Sequence, residues 1–149
     1  MTTHNIADVY VSNDDLPWKC LRDGYDFKLL RTCSVTGTWA VLFRTIAGGS
    51  VPPHKHISAA EYFVLKGKVE VRGGKENGGV TAVAGDYGYE PNGIIHAKTY
   101  FPEPTEYLFI SHGPIQYLDE EGNTSGIIDW LVIQEKWDSA EIAEQSKNA

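Results

Sequence analysis

The chain has 149 residues, 42% of them apolar and 22% charged, with a formal net charge of −7. That length suits a single domain around one core. The acidic balance excludes nonspecific binding to nucleic acid or to an anionic membrane, which needs clustered Lys and Arg. No apolar run approaches the ~20 residues of a membrane span, and the Met-Thr-Thr-His-Asn start has neither a basic nor an apolar leader, so a cytoplasmic protein is expected. Cys20 and Cys33 are too few for a disulfide framework and read as reduced thiols.

Taken in chain order, residues 1–20 form a short arm with a weak strand at Val9–Val11. Strand signals follow at Tyr25–Cys33, Thr38–Ile46, Glu61–Leu65, Lys68–Arg72, Val80–Val83, Ile94–Tyr100, Tyr107–Ser111 and Ile127–Ile133. These runs are rich in aromatic and β-branched residues, and Gly, Pro or Asn separates most of them. Lys66-Gly67-Lys68 reads as a hairpin turn, and Gly73–Gly79 as a longer loop. Asp138 followed by Glu141 predicts a capping box that opens a helix over Ser139–Gln145, within about 138–146. Many short strands of even spacing predict an all-β barrel or sandwich with one short C-terminal helix.

The strongest chemical signal is His54-Lys55-His56. Alternate side chains of a strand share a face, so both imidazoles can meet one ion. Pro52-Pro53 enforces an extended approach to them. A third ligand must come from elsewhere, and His96 opens a new strand run after a turn-rich segment. Imidazole suits Zn, Cu, Fe and Ni alike, so these residues point to a metal without choosing it. His112 has no partner spacing to support it, and His4 reads as solvated. Trp39, Phe43, Phe63, Phe109 and Trp130 read as core.

Two motifs then resemble the cupin family. Gly48, His54, His56, Glu61 and Gly67 fill the first with one departure, because only five residues separate Glu61 from Gly67. Gly85, Pro91, Gly93 and His96 fill the second, with Tyr100 in the place of its Asn. Counted from His56, Glu61 stands at the family's fourth-ligand place. Counted back from Gly67, that place falls on Ala60, and one residue of slip turns a strand side chain to the other face. A three-histidine site is favoured, with Glu61 as the alternative fourth ligand.

The stretch Glu61–Lys75, with Asp86–Glu90 and His96-Ala97-Lys98-Thr99, is similar to the β-diketone-cleaving acetylacetone dioxygenases among the ChrR-like cupins. This resemblance implies a cupin double-stranded β-helix, a jelly-roll barrel, over residues 1–149. It implies Fe(II) on His54, His56 and His96, with Zn or Ni able to occupy the site on isolation. It further implies cleavage of a C–C bond of a small β-dicarbonyl by O2, with Glu90, Arg72, Tyr62 and Thr99 around the substrate, and a homo-oligomer. The competing reading is a non-catalytic zinc-binding ChrR-like cupin that senses a ligand or regulates a partner.

Overall fold

The computed structural model describes residues 8–144. Its strands are β1 (Lys19–Arg22), β2 (Tyr25–Thr32), β3 (Trp39–Thr45), β4 (Gly49–Val51), β5 (His54–His56), β6 (Ala60–Lys66) and β7 (Lys68–Val71). They continue as β8 (Val80–Val83), β9 (Tyr87–Glu90), β10 (Ile95–His96), β11 (Thr99–Phe101), β12 (Thr105–Ser111), β13 (Ile115–Leu118) and β14 (Thr124–Ile128), and helix α1 (Trp130–Ser139) follows them. One six-stranded sheet has the order β1-β2-β3-β12-β6-β9; two four-stranded sheets run β10-β5-β13-β14 and β4-β11-β7-β8. All the pairings are antiparallel, and the expected all-β cupin architecture with one short C-terminal helix is present.

Pleating decides what is inside. β3 and β12 each bury every second residue, so Trp39, Val41 and Phe43 meet Tyr107 and Phe109 on one inner face. Phe27, Val64, Val69, Val71 and Phe101 extend the core. Phe63, expected there, lies on the opposite face of β6 and is exposed, because Tyr62 and Val64 take the inner positions.

The helix lies earlier than its predicted place. Asp129 caps it, the side chain accepting from Val132 N at 2.9 Å. Ile133 and Trp137 pack onto the core, Trp137 edge-on to Phe27. The apolar run Ile127–Ile133 is too short for periodicity to separate strand from helix, and the chain divides it: strand to Ile128, helix from Trp130. Asp138 sits inside this helix. The far end of the predicted helix and the tail after it lie outside the described residues, as does His4. Val9–Val11 forms no strand. The expected strand Ile94–Tyr100 breaks into β10 and β11, which belong to different sheets.

Gly67 is also not a hairpin turn. β6 pairs with β12 and β9, and β7 with β11 and β8, so at Gly67 the chain leaves one sheet for another. The crossing requires φ +86°, and a Cβ there would stand 2.7 Å from Thr105 Cα and closer still to Pro104 O. Gly67→Ala should therefore cost about 2–3 kcal/mol, combining left-handed strain with a backbone clash. Urea unfolding should show a lower midpoint with an unchanged slope; an unshifted midpoint would contradict the assignment.

Candidate metal centre

β5 and β10 build the centre. The pleat sends His54 and His56 inward and leaves Lys55 half-exposed between them. His96 is the antiparallel partner of His54, so the third ring arrives directly across the strand pair. The three ring centroids lie 5.0, 5.2 and 5.3 Å apart, with interplanar angles of 75°, 84° and 70°. His54 Nδ1 donates to the carbonyl of Pro52 at 2.8 Å, which fixes the ring and leaves Nε2 with a free lone pair.

A carboxylate joins them from β9. The register of β9 against β6 sets Glu90 opposite Ala60, which is completely buried. Ala60 carries nothing beyond Cβ, so that side of the sheet is left to Glu90. Its Oε2 lies 2.6 Å from His96 Nδ1 and 3.1 Å from His56 Nε2. One donor atom from each of His54, His56, Glu90 and His96 falls within 4.8 Å of the others.

These short separations are not aligned hydrogen bonds. Both ring nitrogens of His56, His96 Nδ1 and Glu90 Oε2 are buried without a hydrogen-bond partner. Buried polar atoms nearly always find one, and a convergent group that does not is what a cation would complete. The donor set of three imidazoles and a carboxylate oxygen fits a divalent transition ion.

Protonation agrees with that use. Burial lowers His54 to about 4 and lowers His96 as well, so both stay neutral at pH 7, the ligating state. Burial alone would raise the Glu90 carboxyl, but the contact with His56 and, in the acid range where the rings take up protons, the charges of His96, His56 and His54 hold it below the usual carboxylate value.

The other sequence candidates divide. Tyr62 and Thr99 are buried and line the same interior cavity as His54 and Glu90, a space of about 70 Å³. The Tyr62 ring lies where a Cβ on Gly88, its strand partner, would collide with it. Burial first, then the charges of Glu90 and Asp86, push its hydroxyl up to about 12. Arg72 follows β7 in a turn at φ +54° instead of lying on the strand. It lines an outer recess with His96 and Glu90, and among the described residues it forms no ion pair with Glu90. Glu61 points away from the centre. It accepts from the Tyr87 hydroxyl and pairs with His112 Nε2 at 2.8 Å, all three partly or fully exposed on the outer face of the sheet. Ala60, the place reached by counting back from Gly67, is the position that faces inward.

Residues 6–116 match the ChrR Cupin-like domain family, and this span is most of the chain. This chain is a ChrR-like cupin. Over 114 residues it is 39% identical to the acetylacetone-cleaving enzyme of Acinetobacter johnsonii, covering 76% of this chain and 74% of that one. The crystal structure of an acetylacetone dioxygenase from the same organism superposes with a TM-score of 0.87 at 33% identity, covering 95% of this cupin and 98% of that chain. A crystal structure from Methylibium petroleiphilum, provisionally named an acetylacetone dioxygenase, gives 0.87 at 36% identity over 93% and 100% of the two chains. The likeness to oxygenase enzymes expected from the residues is thus present across nearly the whole cupin.

Tyr25, Tyr107, Tyr117 and Arg22 also share the cavity and were not among the sequence candidates. Their positions depend on which strands face each other, and no local motif marks that.

Two outcomes follow for the cupin. His96→Ala should lose most bound metal by elemental analysis, while Glu61→Gln should keep it all; the reverse would misplace the centre. In metal-free protein, His54 titrates near 4 folded against 6.5 unfolded. The unfolded state then binds more protons in that interval, so stability is complete above pH 6.5 and falls as pH drops toward 4, by about 3 kcal/mol at pH 4. Urea midpoints of metal-free protein across this range test it, with His54→Gln flattening that part of the slope.

Proposed function

We propose that this cupin is an Fe(II)-dependent dioxygenase that cleaves a C–C bond of a small β-dicarbonyl. The observation that carries the reading is the convergence of His54, His56, His96 and Glu90, two of which, His54 and Glu90, line an interior cavity. The similarity to acetylacetone-cleaving proteins supports the substrate class and the oxygen chemistry. When bound, iron would supply the Lewis acidity that holds a chelating enolate and the electrons that O2 requires. The overall balance for acetylacetone is one diketone plus one O2 giving acetic acid and a three-carbon oxo-aldehyde.

The chain's own residues prepare the substrate. Oε1 of the ionised Glu90, the oxygen not turned to the histidines, accepts the proton of the central carbon as the diketone becomes an enolate. Glu90 lines both the interior cavity and the outer recess, as Tyr62 and Val71 also do, so the proton has a way to solvent. Arg72, on the recess side, adds a positive charge that helps keep His96 neutral. Tyr62 stays protonated and donates a hydrogen bond to a substrate oxygen, and Thr99 closes the opposite wall. Phe43, Phe101 and Phe109 keep the remaining wall apolar and exclude water.

Anaerobic loading with Fe(II) followed by acetylacetone should give a charge-transfer absorption. Admitting air should bleach it with one O2 consumed per diketone. Glu90→Gln should lower kcat/KM by roughly 10²-fold or more. Tight zinc retention with no O2 uptake on any diketone would instead favour the regulatory zinc-cupin reading.

A further inference from the structure

The interior cavity has two polar ends, and the histidine cluster is only one of them. At the other stand Arg22, Tyr25 and Tyr107, which line the same space. Arg22 closes β1, the edge strand of the six-stranded sheet, and its guanidinium donates at 2.6 Å to the carbonyl of Ser50 in β4, the edge strand of a different sheet. It therefore bridges the seam between the two sheets at the rim of the cavity. Its guanidinium also lies 4.6 Å over the Tyr25 ring. Inside, the Tyr25 and Tyr107 hydroxyls are in contact with each other. Tyr107 is buried, and burial raises its hydroxyl well above 10, so it remains a neutral donor.

The donors and acceptors here do not balance. Two phenols in mutual contact use one O–H between them, which leaves the second O–H in need of an acceptor. The guanidinium has five N–H donors and no acceptor, and the structure shows one nitrogen engaged, on Ser50 O. Apart from the lone pairs of the phenolic oxygens, what is spare at this end donates, and the only charge is positive. A plain diketone spends both oxygens in chelation and offers only alkyl groups beyond them, which leaves the exposed guanidinium to water and brings no acceptor to the buried hydroxyl pair.

The distance suits a short extension. The Phe109 ring lies 6.4 Å from that of His56, and Tyr107 is the next residue on the same face of β12, roughly 7 Å further along the strand. The Tyr117 ring, 6.0 Å from that of His54, forms the wall between the two ends. A group two or three bonds beyond a chelating carbonyl would span the interval.

We propose that the preferred substrate is a β-dicarbonyl bearing a carboxylate, a diketo acid, whose carboxylate is held by Arg22 and the Tyr25–Tyr107 hydroxyl pair. This rests on the dioxygenase reading above and narrows its substrate class. The exposed guanidinium also serves as the first contact for an anion arriving at the seam.

Zn(II)-loaded protein, which cannot turn over, provides the test by titration calorimetry. The probes are succinylacetone, which is acetylacetone extended by a CH2–carboxylate, and 2,4-heptanedione, its neutral counterpart of equal length. Succinylacetone should bind roughly tenfold tighter or better, as a charge-assisted contact implies. Arg22→Gln should bring the ratio of the two dissociation constants close to one, and Tyr107→Phe should reduce it in part, with near-UV circular dichroism and Tm showing that each variant is folded. Equal affinities in the unaltered protein would overturn the proposal, as would a preference that survives Arg22→Gln. If the neutral diketone binds but no preference exists, only the carboxylate assignment falls. If neither compound binds, the dioxygenase reading falls with it.

Discussion

Burying three imidazoles and a carboxylate inside a barrel is unfavourable unless something answers their lone pairs, and the interior is arranged around that demand. Each buried donor or acceptor without a partner costs about 1–3 kcal/mol. Three such atoms meet here, one each on His56, His96 and Glu90, and the other ring nitrogen of His56 is buried without a partner as well. No fold would keep them together for stability's sake. A bound divalent ion turns the same convergence into a net gain, which ties the affinity for metal to the stability of the folded chain.

The fold meets this demand with ordinary strand geometry. Pleating places His54 and His56 on one face, antiparallel pairing sets His96 across from His54, and Pro52 fixes a tautomer through its carbonyl. None of the four residues depends on a long flexible loop: each lies on a strand. The aromatic residues of β3, β11 and β12 then form a dry wall around the opening. Positions facing the opposite way on the same strands take unrelated work, as Glu61 does with His112 and Tyr87.

Much of this was legible in the sequence. The histidines were, because a period of two is visible without any tertiary knowledge, and the glycines of both motifs mark turns that only a left-handed residue can make. Glu90 was visible as a pocket residue, but its approach to the histidines was not, since that depends on the register of β9 against β6. The helix was misplaced because seven apolar residues fit either a strand or a helix, and the Asp129 cap carries the decision. Arg22, Tyr25, Tyr107 and Tyr117 could not be read at all, because they sit on β1, β2, β12 and β13, which only the assembled sheets bring together.

The pairing of Ala60 with Glu90 also bears on how such centres diversify. Two positions on neighbouring strands address one volume of space, and there is room for one long side chain between them. A carboxylate can therefore change strands during descent while its oxygen stays in place, provided the facing residue shrinks as the other grows. Counting ligands at fixed offsets along one strand will then undercount acidic donors in relatives that have made the exchange; the composition of such a centre is a property of the sheet's cross-section.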